Sequence, residues 1–165
     1  MLFYLRYLVA SFFVLLLEGT VFARLALGGI RPELSLALAI AAGFRTSARG
    51  GVVVGFWIGL LRDAADPENF GLEMLLCSLV GFAAGSTSSM LNRAHPIMQG
   101  AVIALLVLAH GFMRAFLVTS FSPVEALMLW LRFSPGAALY TALVAALAML
   151  AIPRLWPLKE RRALS

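Results

Sequence analysis

Charged residues are scarce in six long apolar runs of this chain and collect in the short turns between them, a pattern that few folds accommodate. The runs cover about residues 2–27, 32–47, 48–62, 71–91, 96–121 and 135–152. A helix needs roughly 20 apolar residues, at about 1.5 Å each, to cross the hydrocarbon core of a bilayer. Hydrophobic residues make up 62% of the chain and charged ones 13%, against roughly half and a quarter in soluble domains. Mean hydropathy is +0.95. The bilayer is therefore the expected solvent. The expected fold is an all-α integral membrane protein, a single compact bundle of about six transmembrane helices over residues 1–165, with a basic tail at 153–165 and no separate soluble domain.

The first run carries only Arg6 near its start and is too long for a cleaved signal peptide, so it reads as a retained helix. The second and third flank the basic turn Arg45, Thr46, Ser47, Ala48, Arg49, Gly50, and each is only about 24 Å long at the helical rise. Snorkelling arginines or a thinned bilayer would absorb that mismatch, and a re-entrant pair is the alternative. Pro123 to Arg132, with Met128, Leu129, Trp130 and Leu131, reads as a short interfacial helix ahead of the last span. Trp130 and Trp156 suit the aromatic belts of membrane surfaces. The single cysteine, Cys77, excludes a disulfide within the chain and any multi-cysteine metal site.

Arginine distribution sets the expected orientation, because positively charged loops stay cytoplasmic. With the N-terminus inside, the inner segments hold Arg6, Arg45, Arg49, Arg93, Arg154, Lys159, Arg161 and Arg162 against Glu160 alone. The outer segments hold Arg24, Arg31, Arg62 and Arg132 against Glu33, Asp63, Asp66, Glu68, Glu73 and Glu125. Both termini are then cytoplasmic, and the net charge of +5 is an orientation signal. A nucleic-acid partner is not expected, since the basic residues are scattered among separate loops.

Glycine spacing points to helix packing. Gly51, Gly55 and Gly59 form two overlapping GxxxG steps, and Gly81 with Gly85 forms another. Small residues let backbones approach in lipid, where apolar surface alone drives no association. These faces serve either packing within the bundle or a partner's helix. Within the apolar runs lie Glu18 and Arg114, both in the outer half, with His110 one turn before Arg114 on the same face. Ionisable groups at that depth are functional candidates, and an ion pair between Glu18 and Arg114, joined by His110, is the expected arrangement. A proton relay or substrate site is the alternative.

The outer loop from Arg62 to Gly71 gathers acids, but Asp66 before Pro67 has the form of an N-cap, with Glu68 complementing the helix dipole, and no metal site is expected there. Catalytic signatures are missing: no HExxH, GxSxG or GxxxxGK[ST] occurs. Asp63 and Asp66 are the only aspartates and share one loop, so no aspartyl dyad from two segments can form. Hydroxyls from Ser86 to Ser89 have no base nearby in sequence. The chain is expected to be neither an enzyme nor a cofactor protein.

One family shares these features. Gly29, Ile30, Arg31, Pro32, Glu33 at the start of the second run, the basic turn after Gly43 and Phe44, the string Gly55, Phe56, Trp57, Ile58, Gly59, Leu60, Leu61, Arg62, Asp63, and then Gly71, Leu72 and the Gly81 to Gly85 helix resemble the rod shape-determining protein MreD family. The likeness covers about a third of the chain by motif and all of it by length, span count and basic tail. The chain departs from that family in its acidic, proline-containing outer loop. The resemblance implies a non-enzymatic scaffold of the bacterial cell-elongation machinery in the inner membrane. It implies association with MreC, and through it with MreB and the peptidoglycan polymerase and transpeptidase pair. By the same resemblance Gly51, Gly55, Gly59, Asp63, Gly71, Gly81 and Gly85 serve fold and partner contacts. Arg154, Lys159, Arg161 and Arg162 would meet anionic lipid or a cytoplasmic partner. Self-association is left open. The membrane subunit of an energy-coupling-factor vitamin transporter, similar in size and fold, is the alternative reading; it requires a ligand cavity lined by converging polar side chains.

Overall fold

The computed structural model describes residues 2–20, 33–65, 67–88 and 96–151, which are helical with no strand among them. Six α-helices follow in order: α1 Leu2–Thr20, α2 Leu34–Arg45, α3 Ala48–Ala65, α4 Leu72–Thr87, α5 Pro96–Val118 and α6 Pro123–Ala151, with a 3-10 turn at Pro67–Asn69 before α4. The end of the first apolar run, the Gly29 to Pro32 motif, Arg24, Asp66, Arg93, Trp156 and the tail residues Arg154, Lys159, Arg161 and Arg162 lie outside the described residues.

The shortest helix sits in the middle. α2 has 12 residues, about 18 Å of rise, and buries Ser35, Leu36, Ala37, Ala39, Ile40, Ala42 and Gly43. It touches α1, α3, α4, α5 and α6. The helix is therefore enclosed by its neighbours on all sides.

α3 and α4 are joined through backbone. A Cβ built on Gly51 would strike the Gly81 carbonyl, one on Gly55 the Cys77 carbonyl, and one on Gly59 the Glu73 carbonyl and Met74 Cα. A Cβ on Gly81 would strike Gly51 in return, and one on Gly43 would come 2.7 Å from the Gly81 oxygen. Gly85 closes against Ser47 and Ala48 at the opposite end. Here the glycine faces weighed for a partner's helix are occupied inside the chain, where close approach multiplies dispersion contacts.

The last apolar region departs from expectation. An interfacial helix followed by a separate span was expected, but α6 is one helix of 29 residues with Pro135 inside it. Proline's φ suits a helix, and the ring forfeits one backbone hydrogen bond, so neighbouring contacts can carry it through. Those contacts flank Pro135. Trp130 Nε1 donates to the Leu108 carbonyl at 2.9 Å, Ser134 lies against Gly111, and Ala138 is in the core. Trp130 thus pins α6 to α5 with its polar edge satisfied.

Large apolar side chains also point outward. Phe12, Phe13, Leu16 and Leu17 on α1, Phe56 and Trp57 on α3, Leu75, Leu79 and Phe82 on α4, Leu105 and Met113 on α5, and Met128, Leu131, Leu139 and Leu143 on α6 are exposed. Gly100–Val118 and Pro123–Val144 are long and apolar enough to cross a membrane.

Candidate functional site

Helices that alternate in direction bring particular ends together. The C-terminal ends of α1 and α3, the N-terminal ends of α2 and α4, and the C-terminal half of α5 meet at one end of the bundle, and most of its inward charge is there.

Two carboxylates answer the backbone at this end. A helix N-terminus leaves amide groups without partners and carries partial positive charge. Asp63, only 1% exposed, stands in the last turn of α3, where its own helix dipole disfavours an acid. Its carboxylate instead turns to the start of α4. Oδ2 accepts the N–H groups of Gly71 and Met74 at 3.0 Å each, and Oδ1 accepts that of Glu73 at 3.1 Å. Gly71 makes this approach possible with φ of 96°, a conformation that glycine adopts without strain. Glu18 treats α2 similarly, accepting the Ser35 N–H at 3.1 Å. The amides at the start of α4 are therefore capped from the preceding helix, while the Asp66 cap expected from sequence lies outside the described residues.

The remaining charges form one cluster with Glu73 at its centre. Glu73 Oε2 lies 3.2 Å from Arg62 Nε and 3.2 Å from His110 Nε2, and Oε1 lies 2.9 Å from Arg114 Nε. Glu33 Oε2 lies 3.5 Å from both Arg62 Nη1 and His110 Nδ1. Cys77, one turn after Glu73, donates its thiol proton to Glu73 Oε2 at 3.7 Å. Glu33 is held from its other side, its N–H donating to Thr141 Oγ1 on α6 at 2.9 Å. His110 is completely buried and Glu73 is 5% exposed, whereas Arg114 is 42% exposed.

Arg114 was expected to face Glu18. It meets Glu73 instead, and Glu18 caps α2. Height along a helix does not fix the direction a side chain faces, and Glu73 begins α4 pointing inward rather than lying in the outer loop. His110 and Arg114 do converge, as their spacing implied. Gly51, Gly55, Gly59, Gly81 and Gly85 lie along the α3 and α4 contact, with Gly59 against the Glu73 backbone at the edge of the cluster and Gly55 against that of Cys77.

The cluster ties α2, α3, α4 and α5 together, and its members answer one another's charge in a low-dielectric interior. Its orienting value is high because any sliding of one helix orphans a charge on another. No family model, curated protein or solved structure matches the chain. Glu73, Cys77 and His110 offer oxygen, sulfur and nitrogen donors in one place. Sequence reasoning missed Glu33, Arg62, Glu73 and Cys77 as members. The available signal was that Glu73 and Cys77 are one turn apart at the head of an apolar run, which puts both on one face.

Proposed function

We propose that this chain is a multi-pass protein of the bacterial inner membrane and a non-enzymatic scaffold of the cell-elongation machinery, of the MreD type. One observation supports the membrane reading most directly. Asp63, Glu73 and His110 are buried inside the bundle among small residues such as Ala39, Ala42, Cys77 and Ala84, while large apolar side chains such as Phe12, Phe13, Phe56, Trp57, Leu75, Met128 and Leu139 are exposed. Helices apolar on every side are suited to lipid, and an apolar exterior this extensive would not stay dissolved as a monomer. The elongation reading rests on the resemblance of residues 29–85. Its motif residues Gly55, Gly59, Asp63, Gly71, Gly81 and Gly85 are also those with backbone-level roles in the fold.

With the glycine faces occupied internally, a single-span partner such as MreC would dock on the outward apolar faces and the outer surface. The basic tail would add about 1 kcal/mol per cationic residue near an anionic leaflet. A vitamin-transporter subunit is the competing reading, because converging polar groups are present, although they pair with one another.

Purification from native membranes after mild crosslinking, followed by mass spectrometry, tests this. Recovery of MreC or a peptidoglycan polymerase supports the scaffold. Recovery of a paired ATPase and coupling subunit, or of a tightly held vitamin, overturns it.

A further inference from the structure

We propose that Glu73, Cys77 and His110 bind one divalent cation of the zinc class, with Glu33 as the outer partner of the imidazole. This is independent of the scaffold reading, since it follows from the cluster whichever partner the protein has.

Donor geometry comes first. Zinc bonds of about 2.0–2.2 Å to oxygen and nitrogen and about 2.3 Å to sulfur put tetrahedral ligand atoms about 3.2–3.7 Å apart. Glu73 Oε2 is 3.2 Å from His110 Nε2 and 3.7 Å from Cys77 Sγ. The three donor atoms span 4.8 Å, so the Cys77 to His110 edge is wider than that range and one of the two side chains must close by about an ångström to share an ion. Glu73 and Cys77 are fixed by one turn of α4, and His110 faces them from α5 with no side-chain exposure. Mixed sulfur, nitrogen and oxygen ligands suit zinc better than magnesium or calcium.

The surroundings fit too. Histidine ligands commonly turn their second nitrogen to a carboxylate, which fixes the ring and strengthens the donor. His110 Nδ1 has Glu33 Oε2 at 3.5 Å, and neither atom has an aligned hydrogen-bond partner. Arg62 and Arg114 also approach Glu73, yet Arg114 is on the other oxygen, and Arg62 takes only one of the two lone pairs of Oε2.

Charge decides the valence. Glu33 and Glu73 pair with Arg62, Glu73 also with Arg114, and Glu18 is within electrostatic reach of Arg62. Among the described residues this sets three carboxylates against two guanidiniums. A divalent ion that displaces the Cys77 proton to solvent, the sulfur keeping the electron pair it gives to the metal, adds one unit of positive charge and uses Cys77, which is buried in the cluster with its sulfur toward Glu73.

The test uses the full chain in detergent, carrying a tag that binds no metal and stripped with a chelator, titrated with Co(II) and then Zn(II). A thiolate-to-cobalt charge-transfer band should saturate at one ion per chain and vanish as zinc displaces cobalt. Cys77→Ser should abolish the band, and Glu33→Gln should retain it while weakening binding about 10–100-fold. No band in the wild type, or zinc uptake unchanged in Cys77→Ser, overturns the proposal. Should the variants fail to fold, the wild type alone decides. Zn(II) must raise the melting temperature of the stripped protein, and the absence of a shift overturns the site.

Discussion

Asp63 holds three amides that, among the described residues, no other charged group approaches, so its loss has a calculable sign. Asp63→Ala should lower stability by at least about 1–3 kcal/mol, because each orphaned buried N–H costs on that order. Asp63→Asn should fall between, keeping one acceptor oxygen while turning an NH2 toward the amides. Reversible unfolding in mixed micelles would measure both, and wild-type stability for the alanine variant would refute the capping role. Glu73 allows a sharper test. Alone, Glu73→Ala leaves Arg62, Arg114 and His110 around an empty position, at a cost of about 3–5 kcal/mol. Arg62→Ala should then cost less in that background than in the wild type, with a coupling of about 0.5–3 kcal/mol from a double-mutant cycle. Additive losses would contradict the pairing. At this scale the sequence was partly legible. His110 and Arg114 were visible because both interrupt an apolar run one turn apart. Glu33, Arg62 and Glu73 were not, because charges at helix ends read as loop charges until the facing direction is known.

Among the elements, α3 and α4 form the closest contact and the one best foretold, since GxxxG steps state directly that backbone will touch backbone. Gly55→Val places branched carbon where the Cys77 carbonyl already lies, so the helices must part. A loss of about 1–3 kcal/mol is the overpacking range, and more follows if the charge cluster is dragged apart with them. Gly100 is the control. A Cβ there meets nothing within 4 Å, and Gly100→Ala should leave stability unchanged or raise it by about 0.5–1 kcal/mol through helix propensity. Thermal unfolding of both variants checks the contrast, and equal effects would show that glycine is not required at the contact. α6 was less legible. A proline after a polar, aromatic stretch looks like a boundary, and only the bond from Trp130 to Leu108 and the contact of Ser134 with Gly111 reveal why the helix continues.

For the molecule as a whole, helices that alternate in direction convert arginine counting into a statement about sides. The ion cluster is consistent with such alternation independently of charge bias, because Glu33, Arg62, Glu73 and Arg114 meet only if α2 and α4 start where α3 and α5 end. On the proposed membrane reading, which end faces out rests on the basic residues, with Arg45 and Arg49 in the turn between α2 and α3 and the acidic turn containing Glu68 between α3 and α4. Ser47 and Glu68 are both exposed in those opposite turns. In a Cys77→Ser background, Glu68→Cys should react in intact cells with a maleimide that cannot cross the inner membrane. Ser47→Cys should react only after the membrane is opened. Labelling of Ser47→Cys first would invert the orientation and move the charge cluster to the cytoplasmic half. Labelling of both positions in intact cells would mean that α3 does not cross the bilayer, and the scaffold reading would lose the multi-pass topology on which it stands.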